Sequence, residues 1–193
     1  MNHLAHFKVS YPEPGLVIGG FLGDYIKGPL TGKLPDSLER GVRLHRAVDA
    51  FADGHETTRT SISRFDPQFR RVGSIMVDII YDYFLAKRWS SFHDEPLEAF
   101  SESVFSLITE CGELPETARE TATRMHQFRS LTHYGSDDYV RRSFSHLGAR
   151  LSRSNPLDLA FPEFKHHEQE LARDFEVFFP ELVSFADDWQ VKH

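Results

Sequence analysis

The sequence contains one cysteine, three methionines and no long apolar run. A single cysteine, Cys111, excludes an intramolecular disulfide and a zinc site built on cysteines, so a reducing, cytoplasmic compartment is the expected location. Charged residues or glycines interrupt the apolar runs within about ten residues, well short of the roughly 20 that span a bilayer. The first residues also lack the basic and apolar regions of a signal peptide. We therefore expect no membrane partner.

Positive charge is scarce as well, since 22 Lys and Arg stand against 29 Asp and Glu, for a formal net charge of −7. This acidity argues against a nucleic-acid partner. Apolar mass, by contrast, is plentiful, with 40% hydrophobic residues and 17 phenylalanines in a chain of 193 residues. That amount is sufficient for a hydrophobic core and predicts a single domain over residues 1–193.

Helical periodicity dominates the chain, and no stretch alternates as a strand does. Cap residues and prolines mark several helix starts, among them Pro35-Asp36 and Pro115. No internal repeat or low-complexity linker divides the sequence. We therefore predict an all-α, single-domain bundle of about seven helices. They are placed at residues 15–27, 36–54, 71–90, 95–110, 115–131, 136–152 and 157–188.

Several acidic side chains lie on helix faces that should be buried. In the helix 36–54, a wheel of about 100° per residue places Asp49 about 40° from His45, on the apolar face. The helix 71–90 is apolar almost all round in its centre, where Asp78 and Asp82 lie one turn apart. Asp24 is the only acid in the apolar segment 15–26. These four acids are unusual enough to need an explanation.

A buried carboxylate must be compensated, because moving an unpaired charge out of water costs several kcal/mol. In one interpretation, each acid caps a helix or pairs with an arginine, with Arg43, Arg46 and Arg71 nearest in sequence. In the other, a divalent cation is bound by several carboxylates and an imidazole. We favour the cation because it compensates four acids at once. Its candidate ligands at this point are the four acids and His45.

The segments that carry these residues resemble the acyl carrier protein phosphodiesterase family, the holo-acyl-carrier-protein hydrolases. The matching segments are MNHLAH at 1–6, LGDYIKG at 22–28, GVRLHRAVDAFAD at 41–53 and DIIYDYFL at 78–85. A fainter match is FFP at 178–180, preceded by His167. The likeness covers nearly the whole chain, specific in the first half and loose over residues 95–160. The adjacent His-Asp pair of many HD-type phosphohydrolases is split here into His45 and Asp49.

This resemblance implies a divergent, all-helical relative of the HD-type metal phosphohydrolases. Such an enzyme uses manganese, or else magnesium, to remove 4′-phosphopantetheine from holo-acyl carrier protein. The family motif His-Arg-x-x-Asp falls on His45, Arg46 and Asp49, its acidic segment on Asp24, its helix acids on Asp78 and Asp82, and its N-terminal histidine on His6. The implied metal ligands are Asp24, His45, Asp49 and Asp78. The implied catalytic residues are His6, Arg46 and Asp82, with Arg46 on a phosphate oxygen. The general base stays open among His6, Asp82 and Asp53.

An acidic carrier protein as partner requires a basic face on this acidic chain. The predicted substrate-binding residues are Arg142 and Arg150, which share the helix 136–152 with Arg141, and also His167. Arg153, Arg70-Arg71 and Lys27 are further docking candidates. Three other functions stay open. They are a phosphohydrolase of the same fold acting on a nucleotide or another small phosphoester, a non-catalytic helical protein that binds a metal or cofactor, and a structural helical domain.

Overall fold

Ten α-helices and four short 3₁₀ helices make up the secondary structure of residues 1–193, all described by a computed structural model. The α-helices are α1 His3–Ser10, α2 Pro14–Leu22, α3 Asp36–Gly54, α4 Glu56–Arg64, α5 Gly73–Lys87, α6 Leu97–Thr109, α7 Glu116–Gln127, α8 Asp137–Arg150, α9 Ala160–His166 and α10 Glu168–Lys192. The 3₁₀ helices are Pro67–Phe69, Trp89–Ser91, Ser130–His133 and Leu157–Leu159. The predicted all-α class is confirmed. Each helix is too short or too polar to cross a membrane.

The predicted helix boundaries differ in how well they match the structure. α3 spans Asp36–Gly54 as predicted, whereas the helix predicted at 15–27 ends at Leu22. α1 and α4 were not predicted, and the single helix predicted at 157–188 is a 3₁₀ turn followed by α9 and α10. α5 to α8 are present but somewhat shorter than predicted. The prediction of about seven helices is therefore corrected to ten.

The core is one continuous cluster of 48 buried apolar residues. α5 lies in its middle, with ten of its 15 residues buried, and packs against α1, α4, α8 and α10. α1 packs against α5 as well as against α2. This contact matters for the site, because α1 carries His6.

α2 and α3 make the most extensive helix contact in the fold. A Cβ atom on Gly41 would lie 2.7 Å from the Cα of Gly19, and one on Gly19 would lie 2.6 Å from the Cα of Gly41. Glycine at both positions therefore lets the two backbones touch. The contact brings the end of α2, just before Asp24, against the part of α3 that carries His45.

Candidate metal centre

His6, His45 and Asp49 form a compact cluster in which the carboxylate lies between two imidazoles. The Nε2–H of His6 donates to Asp49 Oδ1 at 3.1 Å, and Nε2 of His45 is 3.1 Å from Asp49 Oδ2. The two rings stack with their centroids 4.0 Å apart. His45 and Asp49 are one turn apart on α3, so the helix presents them together. His6 comes from α1, and only the tertiary fold brings it to them.

The donor atoms of these three residues lie within 4.8 Å of one another. Two imidazoles and a carboxylate suit Mn²⁺ and other first-row transition metals better than Mg²⁺, which prefers oxygen ligands. The Nε2 atoms of both rings face Asp49, and a metal ion bound through Nε2 would take the place of a proton there, with the ring proton on Nδ1. The donor set therefore fits a divalent metal ion, which makes this cluster a possible metal site.

The α-amino group of Met1 lies between Asp49 and Asp78, 3.1 Å from the first carboxylate and 3.2 Å from the second. Burial alone would lower the pKa of this amine, but Asp78 and Asp49 outweigh burial and raise it to about 10. Burial raises the pKa of Asp78, and the ammonium opposes that effect. The amine therefore draws together two of the predicted ligands. The sequence did not reveal this contact, because α1 was not predicted.

The pKa of Asp49 is shifted in the opposite direction to that of Asp78. Burial opposes the ionisation of Asp49, but hydrogen bonds from His45 and His6 outweigh burial and hold its pKa below the ordinary range. The carboxylate at the centre of the cluster is therefore ionised at neutral pH. A carboxylate must be ionised to bind a metal ion, so Asp49 is in the form that a metal ligand requires.

Asp24 lies at the edge of the cluster, immediately after α2. Its Oδ1 is 3.9 Å from His45 Nε2, and its Oδ2 is 3.5 Å from Nδ1 of His3. The side chains of Asp24, Asp49 and Asp78 are 48%, 40% and 36% exposed. The prediction that these three acids face the core is therefore wrong. Asp49 on α3, Asp78 on α5 and Asp24 in the turn after α2 open to solvent beside the cluster, where a substrate can reach them.

Asp82 is the one predicted acid that is fully buried. Its Oδ2 accepts the N–H of Leu4 at 2.8 Å, and its Oδ1 accepts the N–H of Ala5 at 3.0 Å. These N–H groups belong to the first turn of α1 and have no partner within the helix. Burial raises the pKa of Asp82 to about 7 in spite of the two hydrogen bonds. Asp82 thus caps α1 from α5 and fixes the helix that carries His6.

Arg46 anchors the segment that follows Asp24. Its Nη2 donates to the carbonyl of Ile26 at 2.9 Å, two residues beyond Asp24. This contact uses one of the five N–H donors of the guanidinium, and the phosphate contact implied by the family resemblance stays a prediction. In this structure Arg46 therefore helps to hold Asp24 at the site.

The residues predicted to bind the substrate lie outside the cluster. Arg142 pairs with Asp138 on the same face of α8 at 3.3 Å. His167, between α9 and α10, is 3.5 Å from Glu163. Neither contacts the His6–His45–Asp49 cluster. Arg150, in the last turn of α8, is exposed and forms no ion pair.

Two buried groups at the site make opposing contributions to the pH dependence of folding. Burial and the neighbouring His45 lower the pKa of His6 from 6.5 to about 4. Between these values the unfolded chain binds a proton that the folded protein does not, so His6 destabilises the fold as the pH falls. The raised pKa of Asp82 has the opposite sign, because there the folded protein binds the proton first. The two effects offset each other between pH 7 and pH 5.

Replacing His6 should remove its contribution to the pH dependence and leave that of Asp82. When the pH is lowered from 7 to 5, we expect the free energy of unfolding of His6→Gln to rise by about 2 kcal/mol relative to that of wild type. The reason is that protonation of His6 in the unfolded chain no longer opposes folding. Urea unfolding of chelator-treated protein at the two pH values measures the difference. The exposed His133→Gln serves as the control and should follow wild type. Parallel pH profiles for His6→Gln and wild type would contradict the prediction.

Gly23 leaves the space in which the imidazole of His45 lies. A Cβ atom at position 23 would lie 2.2 Å from Cγ of His45. Gly23→Ala must therefore move the ring, and we expect the affinity for Mn²⁺ to fall about tenfold or more. Isothermal titration calorimetry measures the affinity. Gly54→Ala is the control, because a Cβ there meets no atom within 4 Å. An unchanged affinity in Gly23→Ala would show that His45 is not a ligand.

Comparison with known proteins gives a consistent result over nearly the whole chain. The family model described as "Acyl carrier protein phosphodiesterase" matches residues 1–182. The protein of that name from Pectobacterium atrosepticum is 25% identical over 193 residues, covering 99% of this chain and 100% of the relative. The one from Klebsiella pneumoniae (strain 342) is 26% identical over 196 residues, with the same coverage of both chains. No solved structure matches the chain.

Proposed function

Because the chain belongs to the acyl carrier protein phosphodiesterase family, we propose that it removes 4′-phosphopantetheine from holo-acyl carrier protein. The reaction hydrolyses the phosphodiester that joins the arm to a serine of the carrier, and the product is the apo-carrier. The His6–His45–Asp49 cluster carries the proposal. A phosphodiester is inert in water, and a metal centre of this composition is suited to its hydrolysis.

The three clustered residues are the proposed metal ligands, with Asp24 and Asp78 adjacent to them. A divalent ion held by these residues would supply a water of lowered pKa and a positive charge that offsets the negative charge of the phosphoryl group. The two imidazoles favour Mn²⁺ over Mg²⁺. In this assignment His6, expected from the sequence as a catalytic residue, acts as a ligand instead.

The remaining polar groups have distinct proposed tasks. Asp24 is the most exposed carboxylate of the site and lies 3.9 Å from His45 Nε2. It can therefore accept a hydrogen bond from the attacking water, as a group that orients or deprotonates water must. Asp82 holds α1, and Arg46 holds the segment after Asp24. Both are positioning residues in this proposal.

Intact-mass spectrometry of the carrier tests the proposal. Purified protein is incubated with holo-acyl carrier protein and Mn²⁺, and we expect the carrier to lose the whole phosphopantetheine arm. EDTA should stop the reaction, and Mn²⁺ should restore it. A carrier that keeps its arm while a small diester such as bis-p-nitrophenyl phosphate is cleaved would overturn the proposal in favour of a small phosphoester substrate.

A further inference from the structure

The loop that joins α2 to α3, residues 23–35, is fixed to α3 by two hydrogen bonds. Near its start, Nη2 of Arg46 donates to the carbonyl of Ile26 at 2.9 Å. Near its end, the N–H of Gly32 donates to Glu39 Oε1 at 2.8 Å. Glu39 and Arg46 are seven residues apart, close to two full turns, so both anchors lie on the same side of α3. The α2–α3 loop therefore runs along that side of the helix.

Glu39 is a buried acid that connects this loop to α3. Its side chain is 4% exposed, and its second oxygen, Oε2, accepts Nη2 of Arg43 at 3.0 Å. A buried carboxylate is stable only when it is paired and hydrogen-bonded, and here the loop N–H and the guanidinium supply both. The negative charge of Glu39 is thus compensated inside the protein, and the loop is held in one position.

Each anchor adjoins an exposed lysine. Lys27 directly follows the first anchored residue of the loop, and Lys33 directly follows the second. Neither lysine forms an ion pair or a hydrogen bond, and the loop contains no acid after Asp24. Residues 25–46 carry five cations and two acids, a formal charge of +3 in a chain of −7. One of these two acids is the buried Glu39, so the loop presents positive charge to solvent.

The α2–α3 loop begins at the candidate metal centre. Its Asp24 has Oδ1 3.9 Å from His45 Nε2. Lys27 comes three residues later, next to the anchor on Arg46, and Asp49 is only about 4.5 Å farther along the axis of α3. Lys33 is held about 10 Å from that anchor in the other direction. A single phosphate could not contact both lysines, whereas a protein with several carboxylates could.

We propose that the α2–α3 loop is the surface on which the protein part of the substrate docks, with Lys27 and Lys33 paired to carboxylates of the carrier. This inference rests on the proposed function and adds the face that an acidic carrier protein contacts. Two acidic proteins repel each other, so their association needs a local cationic face of this kind. Glu39 is a positioning residue, because it contacts the loop and not the partner.

Charge reversal in the loop separates docking from chemistry. We expect Lys27→Glu and Lys33→Glu each to raise KM for holo-acyl carrier protein about tenfold at low ionic strength, with kcat unchanged. Added salt should raise the KM of wild type more than that of the variants. Hydrolysis of bis-p-nitrophenyl phosphate should be the same in all three proteins.

Lys192→Glu is the matched control, since it makes the same change at an exposed lysine that pairs with Asp188 on α10. Its KM should stay within about twofold of wild type. An equal rise in KM in this control would show an effect of net charge alone, and the docking surface would be overturned.

Glu39→Gln tests the anchor of the loop. Glutamine can still accept the N–H of Gly32, but it loses the ion pair with Arg43. We expect KM for the carrier to rise with kcat unchanged, and the amide hydrogens of residues 25–35 to exchange faster with deuterium. In wild type, apo-acyl carrier protein should slow this exchange. A folded Glu39→Gln protein with wild-type KM and exchange would contradict the positioning role.

The outcomes distinguish docking from the proposed function. Wild-type KM in both Lys27→Glu and Lys33→Glu, in a protein that cleaves the carrier, would overturn the docking surface and leave the proposed function standing. A rise in KM in Arg150→Glu alone would place docking on α8 instead. Loss of small-diester hydrolysis in the lysine variants would also overturn the surface, by placing the lysines at the chemical centre. A wild-type protein inert toward the carrier would overturn both proposals.

Discussion

Asp49→Asn is expected to slow hydrolysis of holo-acyl carrier protein by more than about a hundredfold. Asp49 contacts both imidazoles at 3.1 Å, one with each oxygen. Asparagine keeps the volume but replaces one oxygen with an amide NH₂, which donates hydrogen bonds and is a poor metal ligand. The variant should also bind less Mn²⁺. Turnover by intact mass, together with the metal content of the purified protein, measures both effects.

Asp188→Asn is the matched control for this experiment. Asp188 lies on α10, is 74% exposed and pairs with Lys192 at 3.7 Å. Its replacement makes the same chemical change on the surface and should leave turnover and metal content as in wild type. Thermal unfolding of both variants shows whether Asp49→Asn is folded. A folded Asp49→Asn enzyme with turnover within about tenfold of wild type would contradict the metal assignment.

Asp82→Ala is expected to lower the free energy of unfolding by about 2–3 kcal/mol. The N–H groups of Leu4 and Ala5 then lose their acceptor inside the core, and α1 is no longer fixed to α5. His6 is carried by α1, so turnover should fall in the same variant. Urea unfolding followed by circular dichroism measures the stability, and the carrier assay measures turnover.

Asp82→Asn separates capping from proton transfer. Asparagine keeps one oxygen that can accept a backbone N–H, so a capping role predicts a stability between those of alanine and wild type, with turnover following stability. If Asp82 were a general base, the opposite pattern would be expected. Turnover would then be lost in Asp82→Asn while stability stayed at the wild-type value, and this result would contradict the positioning role.

The fold could be predicted where a helix has one apolar face and a marked start. α3 is the clearest example, since Pro35 and Asp36 define its beginning and its buried residues share one side. α1 escaped prediction because six of its eight residues are buried, so no apolar stripe distinguishes it. α4 is rich in weak helix formers and is held by tertiary contacts. Its Ser61 and Arg64 bond Asp174 of α10 at 2.8 and 2.7 Å.

The candidate site could be predicted by residue type more readily than by position. The spacing of His45 and Asp49 on one face of α3 identified two members of the cluster, and His6 was expected nearby from the family resemblance. A helical wheel shows which residues share a face but not where that face leaves the core. For this reason Asp24 and Asp78 were expected to be buried and are instead partly exposed. The amine of Met1 has no side-chain pattern that could reveal it.

The bonds from Leu4 and Ala5 to Asp82 also bear on the order in which the chain folds. They join positions 78 and 77 residues apart. Contacts so distant in sequence tend to form late, because closing a long loop costs entropy before the contact exists. We therefore expect α1 to dock after the segment through α5 has taken shape, so that the His6–His45–Asp49 cluster is complete only in the final native arrangement. A cation that binds the completed cluster stabilises the entire native state and not a single helix.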